Sequence, residues 1–170
     1  NAVLRDVVVR GSWLFTVAPC GCDGVEIRNV KICGSRVDND DGIDIINSSD
    51  VTIEDCFVRT DDDCIAVKGL VGYGQKSCER IRIASSAFWT DRANIFRIGY
   101  ESDAEAMRDI SARDIDVLHF VSDARPPDTF WSNWVFYLQP SNGMPMGGLR
   151  FEDFRVNAPG DNNLVKAQPM

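Results

Sequence analysis

The chain has 170 residues, 44% of them apolar, and a formal net charge of −8. That is enough for one domain with a real core, too little for two ordinary ones, and too apolar for a disordered chain. The acidity argues against nucleic acid or an anionic membrane as partner, because phosphate binding needs clustered Lys and Arg. No run of about 18 apolar residues is present to span a bilayer.

The first residues, Asn1 to Arg5, show no basic segment leading into an apolar one, so no signal peptide reads at the start. The chain opens without Met and soon enters Val7-Val8-Val9, which makes the expected unit a single domain over 1–170, truncated at its N-terminus. Six cysteines follow, Cys20, Cys22, Cys33, Cys56, Cys64 and Cys78, without zinc-ribbon spacing, and one histidine, His119, cannot complete a two-Cys, two-His site. Most read as buried thiols, with a disulfide at Cys20 or Cys22 as the other reading.

One phrase recurs along the chain: a polar residue or two, an alternating apolar strand, a turn, then a second short strand. It appears at Asp23–Val30, Ser49–Cys56, Glu79–Ile83, Arg108–Ile115 and Gly148–Phe154, with Arg5–Val9 as a truncated first copy. Alternation with β-branched residues reads as strand, and no segment holds a 3.6-residue apolar period for three turns. The uneven spacing suits constant strands with loops of variable length. The expected fold is therefore all-β: a right-handed parallel β-helix, a single-stranded solenoid of about five to six coils with little helix. A β-sandwich would demand Asn-Gly hairpin turns, and Asn142-Gly143 is the one example. The longest insertion, 122–133, is rich in Pro and aromatics and reads as a groove wall or a cover for the core. The stretch from Ala158 to Asn163 reads as a turn and a fraying end.

The chemistry concentrates between Asp38 and Gly69. Two acidic clusters, Asp38-Asn39-Asp40-Asp41 and Asp61-Asp62-Asp63, each run into an apolar segment, so they read as the same corner of successive coils. Coils stack about 4.8 Å apart, which would bring Asp41, Asp62 and Asp63 together. Carboxyls this close cannot all ionise freely, and one with a raised pKa is a proton donor for glycosidic cleavage. Turn chemistry and a calcium site remain open on spacing alone.

The residues also carry a resemblance. Asn39-Asp40-Asp41-Gly42-Ile43-Asp44, followed by Asp62-Asp63-Cys64-Ile65-Ala66, resembles the NTDG-x-D and DDC-I-A motifs of polygalacturonase-like glycoside hydrolases of family 28, within the pectin-lyase-like β-helix superfamily. The resemblance implies an inverting glycosidase without cofactor or metal, acting on a polysaccharide or oligosaccharide in an extracellular or periplasmic setting. By the same resemblance Asp62 is the general acid, Asp41 and Asp63 hold the attacking water, Asn39 orients the site, and Lys68 points into the sugar groove. The family's Gly-His-Gly segment corresponds to Asp91–Gly99, where no histidine stands and Asn94, or Arg92 in a shifted register, takes its place. The family's Arg-x-Lys pair would fall near Val135–Gln139, where neither position is basic. An anionic chain entering an acidic groove needs such cations, so the expected substrate is not plain polygalacturonate. Trp89, Arg97, Tyr100 and Glu101 are further candidate substrate contacts, and His119 reads as structural or groove-edge. The rival readings are a β-helix lyase or epimerase using calcium and a base, and a non-catalytic glycan-binding module.

Overall fold

The computed structural model describes residues 1–34, 37–120, 134–157 and 164–169. The insertion 122–133 and the stretch 158–163 therefore lie outside the described residues. Within them the chain is all strand: β1 (Ala2–Arg5), β2 (Val8–Arg10), β3 (Asp23–Arg28), β4 (Lys31–Cys33), β5 (Ile43–Ile46), β6 (Ser49–Glu54), β7 (Phe57–Thr60), β8 (Ile65–Lys68), β9 (Cys78–Thr90), β10 (Phe96–Ile98), β11 (Met107–Phe120), β12 (Phe136–Leu138), β13 (Met146–Val156) and β14 (Val165–Ala167). Among the described residues there is no helix, and so none long and apolar enough to cross a membrane.

Every strand pairing is parallel, and two sheets wind past one another as a parallel β-helix. One sheet holds β1, β3, β6, β9, β11 and β13 with β2, β4 and β7. The other runs β5-β8-β10-β12-β14, continued by the bridges Val17↔Ile43 and Cys20↔Ile46. In the first sheet Val25, Val51, Ile81, Ile110 and Leu149 stand in one register. These are the apolar positions at which the repeated sequence phrase aligns. The first copy is the exception: Ala2 pairs with Val25 and Val8 with Lys31, so Arg5–Val9 continues a strand already begun and does not start one. The misalignment arose because Val7-Val8-Val9 imitates the stronger strand motif.

The two strands of each phrase are one ribbon bent at a fixed point. Asp6, Asn29, Asp55, Ser85, Asp114 and Asp153 all have φ between 48° and 57° at the equivalent position of successive rungs. Asn and Asp tolerate this left-handed conformation better than other residues with a Cβ, so the bend is written into each repeat. Inward positions of both sheets, among them Ile27, Ile45, Ile53, Val58, Ile65, Ile81, Phe88 and Phe96, form one continuous core. Each such side chain contributes on the order of 1.5–3 kcal/mol of burial. Cys56, Cys64 and Cys78 are buried in it, and all six cysteines are free thiols.

Candidate active site

The corner between the two sheets supplies the acids. Ile43 of β5 stands opposite Ile65 of β8, and the backbone N–H of Gly42 donates to the Asp63 carbonyl at 2.8 Å. Asp41 and Asp63 are thus equivalent residues of successive coils. This approach needs a residue without a side chain at 42, since a Cβ there would lie 2.4 Å from Val58 Cγ1 and 2.5 Å from the Cys64 carbonyl oxygen. The buried carboxylate of Asp40 ties down the next turn by accepting from the N–H groups of Asp61 (2.7 Å) and Asp62 (3.1 Å). Thr60 and Thr90 donate their hydroxyls to the Asp62 carbonyl at 2.6 and 2.9 Å.

Asp41, Asp62 and Asp63 converge: one carboxylate oxygen from each lies within 4.8 Å of the others. Asp41 and Asp63 are buried, whereas Asp62 is half-buried and is the most solvent-accessible of the three. Asp62 accepts from the N–H groups of Asp63 (2.9 Å) and Asn39 (3.2 Å). Asp63 accepts twice on Oδ1, from the backbone N–H of Asn94 at 2.9 Å and its amide at 2.8 Å. Asn94 in turn accepts from the Trp134 N–H at 2.9 Å. Asn94 therefore takes the place beside Asp63, while Arg92 turns away to pair with Asp38 and, at 2.8 Å, with Asp61.

Lys68, buried like Asp41 and Asp63, lies 2.7 Å from Asp41 and 2.9 Å from the fully buried Asp44, and its ammonium sits 4.0 Å from the Phe15 ring centroid. It is turned onto carboxylates and not into an open groove. A single cation surrounded by acids stays charged: Asp44, Asp41 and Asp63 hold its pKa above the ordinary value although burial opposes this. The acids outnumber it, and their pKa values rise as well, toward the neutral form. Burial, then the Asp44 charge, pushes Asp41 up to about 8. Burial takes Asp44 up to about 6. Burial, then the charge of Asp63, takes Asp62 up to about 6, and burial with the charge of Asp41 raises Asp63. The cluster therefore keeps protons at mildly acidic pH and shares them as a unit. Three carboxylates at this spacing also have the form of a cation site, but Lys68 already brings a positive charge to Asp41.

The remaining candidates divide between the two sheets. On the outer face of the second sheet, Asp44, Ala66, Arg97, Tyr137 and Lys166 form one row across successive strands. Arg97 is buried between the rings of Tyr100 and Tyr137, 4.1 and 4.0 Å from their centroids, and donates to Gln139 at 2.7 Å. Its Nε–H has no partner among the described residues. Lys166 lies 4.9 Å from Tyr137, on its other side. Glu101 is exposed in the following turn. Trp89 belongs to the other sheet, where it packs on Arg59 and His119 and donates to Asp91 at 2.8 Å. Asp44 and Gln139 went unnoticed as site residues; alternation in GIDII placed Asp44 on the outer face, but nothing local announced a buried cation for it. Lys166 gave no signal, because only the strand order brings it beside Tyr137.

Residues 1–84 match a family model described as Glycosyl hydrolases family 28. Over 68 residues, 39% of this chain, it is 51% identical to a polygalacturonase of Juniperus ashei and 49% identical to one of Chamaecyparis obtusa, in each case 13% of the relative's length. Over 68 residues it is 37% identical to an exopolygalacturonase of Oenothera organensis, 19% of that protein. The aligned part thus spans under a fifth of each of these relatives. No solved structure matches the chain.

Proposed function

We propose that this chain is a polygalacturonase-like member of glycosyl hydrolase family 28 and that it carries a hydrolytic site for a pectic polysaccharide in the corner formed by Asp41, Asp62 and Asp63. The observation that carries the reading is their convergence within 4.8 Å with Asp62 the most solvent-accessible of the three. Asp62, pushed up to about 6, is the general acid and gives its proton to the glycosidic oxygen as the bond to the anomeric carbon breaks. Asp41 and Asp63 hold a water, and one accepts its proton as the oxygen attacks that carbon. The two Asn94 donors on Asp63 leave its second oxygen for that water.

We assign inversion from the family resemblance. The acids lie closer than the roughly 6.5–9.5 Å usual for inverting pairs, so the water is held beside the acid on one wall and not across a wide gap. Product stereochemistry decides: NMR during hydrolysis should show the inverted anomer first, and a retained anomer would overturn the assignment.

A substrate other than plain polygalacturonate was expected because no basic pair stands in Val135–Gln139. Arg97 and Lys166 flank Tyr137 on the same outer row and restore positive charge there. The reading this supports is a galacturonate-containing chain, met in an extracellular or periplasmic setting. Depolymerisation of polygalacturonate by the 170-residue chain, lost in Asp62→Asn, is the direct test. An undiminished rate in that variant would remove Asp62 from the role.

A further inference from the structure

The outer face of the first sheet carries a second row that the acidic corner does not use. Register places Arg10, Cys33, Arg59, Trp89 and His119 side by side, one from each successive strand. They point outward, since the preceding residues Ile32, Val58 and Phe88 lie in the core. His119 joins the row only because β11 is bulged between Val117 and His119, which turns it to meet Trp89 with ring centroids 4.5 Å apart. Arg59 covers the Trp89 ring at 4.9 Å and is held by Asp91 at 3.0 Å. Long side chains thus stack tightly along the row, except at the short Cys33. There a cavity of about 310 Å³ opens, lined among the described residues by Arg10, Cys33, Gly34, Phe57, Arg59, Thr60 and Asp91.

We propose that this slot binds the carboxylate of a uronic acid unit between the guanidinium groups of Arg10 and Arg59, as an accessory subsite for an acidic polysaccharide. Arg10 and Arg59 are two strands apart, roughly 10 Å, which admits a sugar-borne carboxylate over the small floor of Cys33 and Gly34. Arg10 is exposed and makes no ion pair among the described residues. Among the side chains lining the slot, Arg10 and Arg59 against Asp91 leave one net positive charge, with the buried Asp40 carboxylate behind the floor at Gly34, in a chain whose own net charge is −8. Charge-assisted bonds from guanidinium to carboxylate supply both strength and geometry. The edge of Phe57 gives the sugar an apolar surface. The proposal deepens the substrate class given above and rests on that reading for its choice of ligand.

Backbone amide NMR on the Asp62→Asn chain tests it, with trigalacturonate as probe and its trimethyl ester as the matched neutral probe. The acid form should shift the amides of Cys33, Gly34 and Phe57, and the ester should not. Arg10→Ala should weaken the affinity read at those amides by about tenfold. Cys33→Leu, which fills the slot, should abolish the shifts. No shift at these amides, or equal shifts with the ester, would overturn the proposal. Turnover by the unsubstituted chain is measured separately, so failure of the slot and failure of the hydrolytic corner are distinguishable.

Discussion

Replacing Lys68 by Met removes a buried cation that pairs with two buried carboxylates, at 2.7 Å from Asp41 and 2.9 Å from Asp44. Even with Lys68 present, Asp44 is raised from 3.8 to about 6, a cost of about 3 kcal/mol at neutral pH by linkage. The sign follows from proton uptake. The folded state binds this proton more tightly than the unfolded chain, so the cost is absent below pH 3.8, grows as pH rises, and is complete above about 6. Without Lys68 the acids lose their compensation, and breaking a buried pair in this way costs about 3–5 kcal/mol. The expected result in urea unfolding is a loss of that size at pH 7, falling below about 1 kcal/mol near pH 4, where the acids are protonated and need no counter-charge. A loss under about 1 kcal/mol at pH 7, or an equal loss at both pH values, would refute the reasoning.

Asp62→Asn should lower turnover of polygalacturonate by about 10²-fold or more while leaving the thermal midpoint within a few degrees, by reducing-sugar assay and calorimetry. In the unsubstituted chain, turnover should fall as pH rises through about 6, because Asp62 then loses the proton it must donate. Asn94→Ala removes one of the two donors to Asp63 Oδ1, the side-chain amide, while the backbone N–H stays. Asp63 should therefore titrate higher still, and the acid-side limb of the pH–rate profile should move upward, with no such movement in a distant surface variant. Gly42→Ala should cost about 1–3 kcal/mol and impair turnover together, because its methyl meets a backbone carbonyl and a core valine. Wild-type stability in that variant would show that the corner yields more easily than its contacts imply.

The sequence exposed the solenoid because its repeats agree at two levels, apolar alternation and a turn-forming Asp or Asn after the strand. Where an imitation arose, at Val7-Val8-Val9, the register slipped, since alternation alone does not say which strand a run continues. The convergence of Asp41 with Asp63 was legible because Gly42-Ile43 and Cys64-Ile65 follow them at matching positions. The burial of Lys68 was not, because a lysine on an outward position ordinarily reaches solvent, whereas here the Phe15 ring and the pairing with two acids hold it in. Trp89 was expected among the substrate contacts together with Arg97, Tyr100 and Glu101. The corner at Asp91 turns the chain between Trp89 of β9 and Arg97 of β10, so the two stand on different sheets. His119 reaches Trp89 through a bulge, and no local residue pattern marks where one residue will be skipped.

The left-handed residues that recur from Asp6 to Asp153 have a consequence for the acids, which lie elsewhere on the circumference. Each coil must return to the same azimuth before it can deliver its carboxylate over the one beneath. The bend at these positions sets how far the chain has rotated when it arrives. Asp41 and Asp63 therefore stay in phase because Asn29 and Asp55 bend alike, with φ of 52° and 55°. The acidic corner is tuned from elsewhere on the circumference of the solenoid, and a β-branched residue at Asp55 would detune it without touching a single acid.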